Sequence, residues 1–264
     1  MTEKGLTEKI ALVASMIARA ERIVVFTGAG ISTESGIPDF RSPGGIWTRF
    51  DPDDFTIQKF IASDETRRKQ WKILVEEGLF RNIEPNRAHR AIAELEQMGR
   101  LDCIITQNID DLHQKAGSSQ DRVYELHGNM QWAKCLDCSS LFAMEAIREQ
   151  LLNGKEIPLC KRCHGMLKPN VVFFGEQLPL NTIEAATCHA ESCDLFIVVG
   201  SSLAVQPASF MPGYAKAAGA SLVIVNMSPT PCDRLADVVI TEMAGKIMPR
   251  IVTETKKLLK NLPC

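Results

Sequence analysis

Arg22-Ile23-Val24-Val25-Phe26-Thr27-Gly28-Ala29-Gly30-Ile31-Ser32 passes without a break from apolar strand to glycine turn. An uninterrupted apolar run, with no polar residue every second position, suits a strand covered on both faces. That is the pattern of a parallel sheet. Glycines directly after such a strand lie where an open α/β sheet binds its ligand. Two further segments repeat the design. Leu101 to Thr106 runs into Gln107-Asn108-Ile109-Asp110, and Arg122 to Leu126 runs into His127-Gly128.

Working outward, Ile10, Val13, Ala14 and Ile17 recur at helical spacing, with Thr7 as the expected N-cap. Gly28 to Asp54 reads as one long loop, rich in Gly, Pro, Ser and Asp, and loops of that length are usually functional. Thr56 to Glu77 reads as a helix. Pro85 and Asn86 open another, which Gly99 closes. From Gly128 to Val171 the apolar period weakens, as expected of an inserted module. Strands resume at Asp194 to Val199, before Gly200-Ser201-Ser202; at Ser221 to Val225, before Asn226; and at Asp237 to Ile240. A helix from Ala244 to Leu262 follows. Alternating strands and helices predict an α/β fold: a doubly wound parallel sheet with a smaller module inserted.

Gly28-Ala29-Gly30 begins a dinucleotide fingerprint but does not complete it. Thr33 stands where a third glycine is expected, and no acidic residue ends a second strand about 20 residues on. The turn either brings backbone close to a phosphate or is simply tight. In both cases an ordinary dehydrogenase is disfavoured. His127, at a strand end before glycine, is placed to act as a general base near neutral pH. His89 and His113 lie in helical stretches and read as structural. Asn108 and Asp110 either serve the site or cap the next helix.

Cys135-x-x-Cys138 and Cys160-x-x-Cys163, separated by 21 residues, offer four thiolates for one tetrahedral zinc. Two copies favour a metal over a redox pair. Four sulfurs leave no open position, so the zinc would be structural. The other five of the nine cysteines are scattered, and Cys103 reads as a small buried apolar residue.

The 264 residues carry a net charge of −2, with 45% hydrophobic and 23% charged side chains, as in ordinary globular proteins. There is no basic footprint for direct nucleic-acid binding. Between Lys134 and Lys168 six Lys/Arg against four acids leave a surplus of two, too small to bind nucleic acid through the cysteine module. No apolar run reaches membrane-spanning length, and no signal peptide is evident, so a cytoplasmic location is expected.

Together these segments resemble the sirtuin family, the NAD-dependent protein deacylases, in the prokaryotic form with a single catalytic core. Further matching stretches are Gly36-Ile37-Pro38-Asp39-Phe40-Arg41, Pro169-Asn170-Val171-Val172-Phe173-Phe174-Gly175-Glu176, Gly200-Ser201-Ser202-Leu203 and Val225-Asn226. The resemblance implies a large Rossmann-type NAD-binding domain (1–44, 81–127 and 172–264). It implies a small domain made of a helical insertion (45–80) and a zinc-ribbon module (128–171). Gly28, Ala29, Gly30, Thr33, Phe40 and Arg41 would line the NAD site in a mobile loop. Gln107, Asn108, Ile109 and Asp110 would enclose nicotinamide and its ribose. Gly200, Ser201, Ser202, Asn226 and Ala244 would hold the adenosine half. An acyl-lysine protein or peptide would add as a strand along Val172, Phe174, Gly175 and Glu176, with Val205 at the acyl channel.

The implied chemistry has the acyl oxygen attack the ribose carbon of NAD as nicotinamide leaves. Asp110 would grip the carboxamide, Phe40 exclude water, His127 act as base on the ribose hydroxyls, and Asn108 orient a water or hydroxyl. Two departures stand out. Asp111 replaces the family's usual Gly, basic or amide residue. The Tyr-x-x-Arg pair of enzymes acting on acidic acyl groups is missing, since His127 and Ala217 follow Tyr124 and Tyr214 at that spacing. Trp71, Ile73 and Leu74 instead suggest an apolar pocket for acetyl or longer aliphatic groups. Mono-ADP-ribosyltransfer at the same site and a non-catalytic zinc-ribbon binding module are the rival readings.

Overall fold

A computed structural model describes residues 2–76 and 82–261, with side chains of 74–76 excepted. Six strands form one parallel sheet: β1 (Ile23–Thr27), β2 (Cys103–Thr106), β3 (Val123–Glu125), β7 (Leu195–Val199), β8 (Ser221–Val225) and β9 (Val238–Ile240). Their order is β3-β2-β1-β7-β8-β9, so the chain reverses direction across the sheet between β1 and β7. The two central strands are buried throughout, which is why their sequences are apolar at every position. Ile23 and Val25 face the helices Glu3–Arg19, Arg87–Gln97 and Ala244–Lys260. Val24 and Phe26 face the helices Leu180–Ser192 and Met211–Ala217. Both faces are therefore covered, as a doubly wound sheet requires.

A second sheet is antiparallel, with order β5-β4-β6, from β4 (Gly128–Cys135), β5 (Leu141–Ala143) and β6 (Leu167–Val171). It leaves the main sheet at Gly128, whose φ of +72° and 2.1 Å approach of an added Cβ to the Asn170 carbonyl both require glycine. Its small core gathers Trp71, Ala133, Cys135, Ile147, Cys160 and Leu167.

Several local expectations are corrected. The first helix starts at Glu3, capped by Thr2, and Thr7 bonds back to the Glu3 carbonyl from inside it. The span from Gly28 to Asp54 is not bare loop. It contains the short 3-10 helices Ala29–Ser35 and Ile46–Thr48 and the start of Pro52–Phe55. The helix expected over Thr56 to Glu77 breaks into Ile57–Ala62 and Asp64–Glu76. Extended Ser63 ends the first, and its hydroxyl accepts from the Thr66 N–H to start the second. Glu77 and Leu262, the expected ends of two helices, lie outside the described residues. Among the described residues no helix is long and apolar enough to cross a membrane.

Candidate active site

The C-terminal ends of β1 and β7 touch. Gly28 N–H donates to the Val199 carbonyl at 3.3 Å and Gly30 N–H to the Gly200 carbonyl at 2.8 Å. A Cβ on Gly30 would lie 2.7 Å from that carbonyl. The two glycines are thus demanded by strand-end packing, and their N–H groups are already spent.

Beside this junction lies a cavity of about 270 Å³. Ala29, Phe40, Arg41, Gln107, Asn108, Ile109, Asp110 and His127 line it, as do Val172, Phe174, Gly175, Glu176 and Val205. Residues separated by up to 176 positions in the chain meet here. Gly28, Gly30, Thr33, Gly200, Ser201, Ser202, Asn226 and Ala244 do not line it. They lie after the ends of β1, β7 and β8, with Thr33 in the 3-10 helix Ala29–Ser35 and Ala244 in the first turn of the last helix. Ser201, nearly buried, accepts from Gln107 Nε2 at 2.8 Å and from the Leu203 N–H at 3.2 Å. Asn226 Nδ2 donates to the Ser228 carbonyl at 2.7 Å.

Asn108 and Asp110 share one face of the site after all, because Ser32 draws them together. The Ser32 hydroxyl donates to Asp110 Oδ2 at 2.7 Å and accepts from Asn108 Nδ2 at 3.1 Å. The Asn108 amide also donates to the Gly28 carbonyl at 3.2 Å, leaving its carbonyl oxygen as the group it can offer a ligand. Asp110 keeps its capping role too, accepting from the Leu112 N–H at 3.0 Å through Oδ1. Burial pushes the Asp110 carboxyl up from its ordinary value, against the Ser32 hydrogen bond. Ser32 itself went unassigned as a site residue. Its position in the glycine turn was the available signal.

His127 Nδ1 lies 2.9 Å from the Gln107 carbonyl, an acceptor only, so Nδ1 carries the proton and Nε2 has a free lone pair. Burial pushes its pKa below the ordinary histidine value; the Gln107 carbonyl opposes this. His89 and His113 are buried beneath the site. Thr27 holds His113 at 2.9 Å, and burial brings His89 down to about 4. Asp111 has φ +64°, which explains why glycine or an amide suits that position and why aspartate is tolerated.

One cavity wall is aromatic: Trp47 packs on Phe40, Phe55 and Phe174 at ring distances of 5.1, 5.5 and 5.8 Å. Ile73 joins the lining, but Trp71 points into the core of the second sheet, and the Leu74 side chain lies outside the described residues. Among the described residues no tyrosine lines the cavity. The segment expected to pair with a peptide is partly occupied. The Phe174 N–H and carbonyl bond to Phe55 and Ile57, both at 3.0 Å, which corrects the expectation that its backbone is open. The Glu176 carboxylate accepts from the Phe173 N–H at 2.6 Å and from Lys168 Nζ at 2.9 Å, so its side chain braces the turn.

Away from the cavity, the four cysteine sulfurs lie within 4.8 Å of one another, with Cys135–Cys163 at 3.5 Å and Cys138–Cys160 at 3.7 Å. A tetrahedral zinc with bonds of about 2.3 Å spaces its sulfurs by roughly 3.8 Å, so the set fits the ion. His164 follows at φ +60° and is not one of the group.

The Sir2 family model matches residues 28–207. An NAD-dependent protein deacylase 2 of Archaeoglobus fulgidus is 46% identical over 256 residues, covering 96% of this chain and 98% of its own length. A solved Sir2–p53 peptide–NAD+ complex superposes with a TM-score of 0.84 at 35% identity, covering 97% of this chain and 100% of that one. Sir2Af2 bound to a myristoylated histone peptide gives 0.78 at 42% identity, covering 97% and 100%. With the doubly wound sheet, the four-cysteine module and the cavity between them, these likenesses establish that the chain belongs to the Sir2 family.

Proposed function

We propose that this chain removes acyl groups from protein lysines in an NAD-dependent reaction, passing the acyl group to ADP-ribose and releasing nicotinamide. The observation that carries it is the convergence of the His127 Nε2 lone pair, the Asn108 amide oxygen and the Asp110 carboxylate in a cavity walled by aromatic and aliphatic side chains. NAD, when bound, supplies an electrophilic ribose carbon and the acceptor for the acyl group.

The residues divide the work by chemistry. His127 Nε2 takes the proton from a ribose hydroxyl, held in the correct tautomer by the Gln107 carbonyl. Asn108 orients a hydroxyl or water with the one group it has left. Asp110 accepts from a carboxamide N–H, its position set by Ser32 and Leu112. Phe40, packed against Trp47, keeps water from the reacting carbon. Gln107, Ile109, Ala29, Thr33 and Arg41 complete the cofactor site, and Gly200, Ser201, Ser202, Asn226 and Ala244 take the adenosine half. An acyl-lysine peptide lies along Val172 to Glu176, with the acyl chain passing Val205. Residues 1–44, 81–127 and 172–264 act as the large domain, and 45–80 with 128–171 as the small one. Cys135, Cys138, Cys160 and Cys163 hold a zinc that supplies structure only. The reading also includes a cytoplasmic location and no direct nucleic-acid binding.

The test is nicotinamide release from NAD with and without an acetyl-lysine peptide, beside His127→Ala. Release that needs the peptide and falls by at least about 10²-fold in the variant is expected. Peptide-independent release would mean ADP-ribosyltransfer or NAD hydrolysis instead. Unimpaired turnover by His127→Ala would remove the assigned base.

A further inference from the structure

Among the described residues, one group besides the four cysteines brings three metal-ligating side chains together. Asp102 directly precedes β2, Cys103 opens it, and His189 reaches both from the helix Leu180–Ser192. This is the N-terminal end of the parallel sheet, opposite the cavity. One carboxylate oxygen, the thiol sulfur and one imidazole nitrogen lie within 4.8 Å of one another. The imidazole is held as a ligand would be. His189 Nδ1 lies 2.6 Å from Asp102 Oδ2, and Nε2 lies 2.9 Å from the Tyr124 hydroxyl, with the two rings 4.9 Å apart. Tyr124 thus fixes the ring and gives an Nε2–H its acceptor, the outer support that metal-binding histidines use. Cys103 lies buried in the apolar layer beneath. The Asp102 and His189 side chains are 29% and 25% exposed, so an ion can enter from solvent.

The donor set decides the class of ion. A thiolate, an imidazole and a carboxylate together suit zinc and its transition-metal neighbours, and disfavour magnesium and calcium, which take oxygen ligands. Zinc bonds of about 2.0–2.3 Å set tetrahedral ligands roughly 3.5 Å apart, so the sulfur closes by at most about 1.5 Å and the imidazole and carboxylate part by about 1 Å. Side-chain rotation covers both shifts. We propose that Asp102, Cys103 and His189 form a second divalent-metal site of the zinc type, with water in the fourth position. On binding, the ion displaces the Nδ1 proton and the thiol proton. Nε2 takes one proton back and donates it to the Tyr124 oxygen, so one proton per ion passes to solvent. Burial pushes the Cys103 thiol up, which keeps the sulfur inert until a cation arrives. Three protein ligands hold less tightly than four, so the site fills when metal is added to protein that already carries its structural zinc. An occupied site ties β2 to the helix Leu180–Ser192 and raises stability.

The test adds Co2+ to the protein with its four-cysteine site filled by zinc, which stays in place because zinc binds more tightly than cobalt. One Co2+ per chain is expected to bind, with a thiolate-to-cobalt charge-transfer band and a raised Tm. Zn2+ added afterwards should bleach the band. His189→Gln and Cys103→Ala should each weaken binding by at least about tenfold, the second removing the charge-transfer band altogether. Cys188→Ser, at the exposed cysteine next to His189, should leave band and affinity unchanged. Absence of the band in the wild type would overturn the proposal. A band that survives His189→Gln and Cys103→Ala, or one lost in Cys188→Ser, would also overturn it, by placing the metal on surface groups. The wild-type spectrum decides even if Cys103→Ala fails to fold, and His189→Gln, at a partly exposed helix position, then supplies the variant arm.

Discussion

His127 owes its role to one carbonyl. Had Nδ1 faced solvent, either tautomer would serve; with the Gln107 oxygen at 2.9 Å, the lone pair must sit on Nε2. Burial disfavours the imidazolium and lowers the pKa below the ordinary 6.5, and the Gln107 carbonyl offsets this only in part. The neutral ring is the active base, so activity is lost as pH falls through the lowered pKa. The acid limb of kcat/KM should therefore be centred below 6.5, as read from initial rates across pH with an acetyl-lysine peptide. A limb centred above that value would mean that another group is being titrated. At this scale the sequence was legible where a residue type has few other uses: a histidine at a strand end, two Cys-x-x-Cys pairs. It was not legible for Ser32, since a serine after a glycine turn has many ordinary roles and its bonds to Asn108 and Asp110 span more than 70 positions.

Among the elements, the β1–β7 junction tightly constrains the site. Gly200 has φ +63°, and a Cβ there would lie 2.2 Å from the Ile31 N. Gly219 has φ +100° with nothing within 4 Å of the same position. Gly219→Ala should cost only the backbone penalty, about 1 kcal/mol. Gly200→Ala adds a backbone clash and should cost roughly 3 kcal/mol or more, as measured by urea unfolding. Equal costs would mean that the junction is looser than its hydrogen bonds indicate. Strands were the most legible elements, because double-sided burial writes itself as an apolar run. The helix break at Ser63 was missed because the apolar pattern continues across it, while a single hydroxyl decides where the second helix starts.

Across the whole molecule, the four-cysteine module and the cavity are mechanically linked. Trp71 shares an apolar core with Cys135 and Cys160, and its helix neighbours Gln70 and Ile73 line the cavity. Zinc removal should therefore loosen the acyl wall as well as the module. Elemental analysis should find one zinc per chain, lost on strong chelation or in Cys135→Ser. Loss should be accompanied by a lower Tm and a raised KM for the acyl peptide. A metal-free protein with unchanged Tm would deny the ion a structural role.

The sequence by itself determined what repeats locally: the apolar strands and hence the parallel sheet, the metal module through the spacing of its cysteines, and the strand-end placement of the polar residues. These follow from periodicity and short-range geometry, which a linear chain carries in full. Only the tertiary structure decided that the glycines serve strand packing, that Ser32 joins Asn108 to Asp110, and that the Phe174 backbone is already paired. Each of these depends on which distant groups meet in a desolvated space, where a hydrogen bond made or missed carries its full weight.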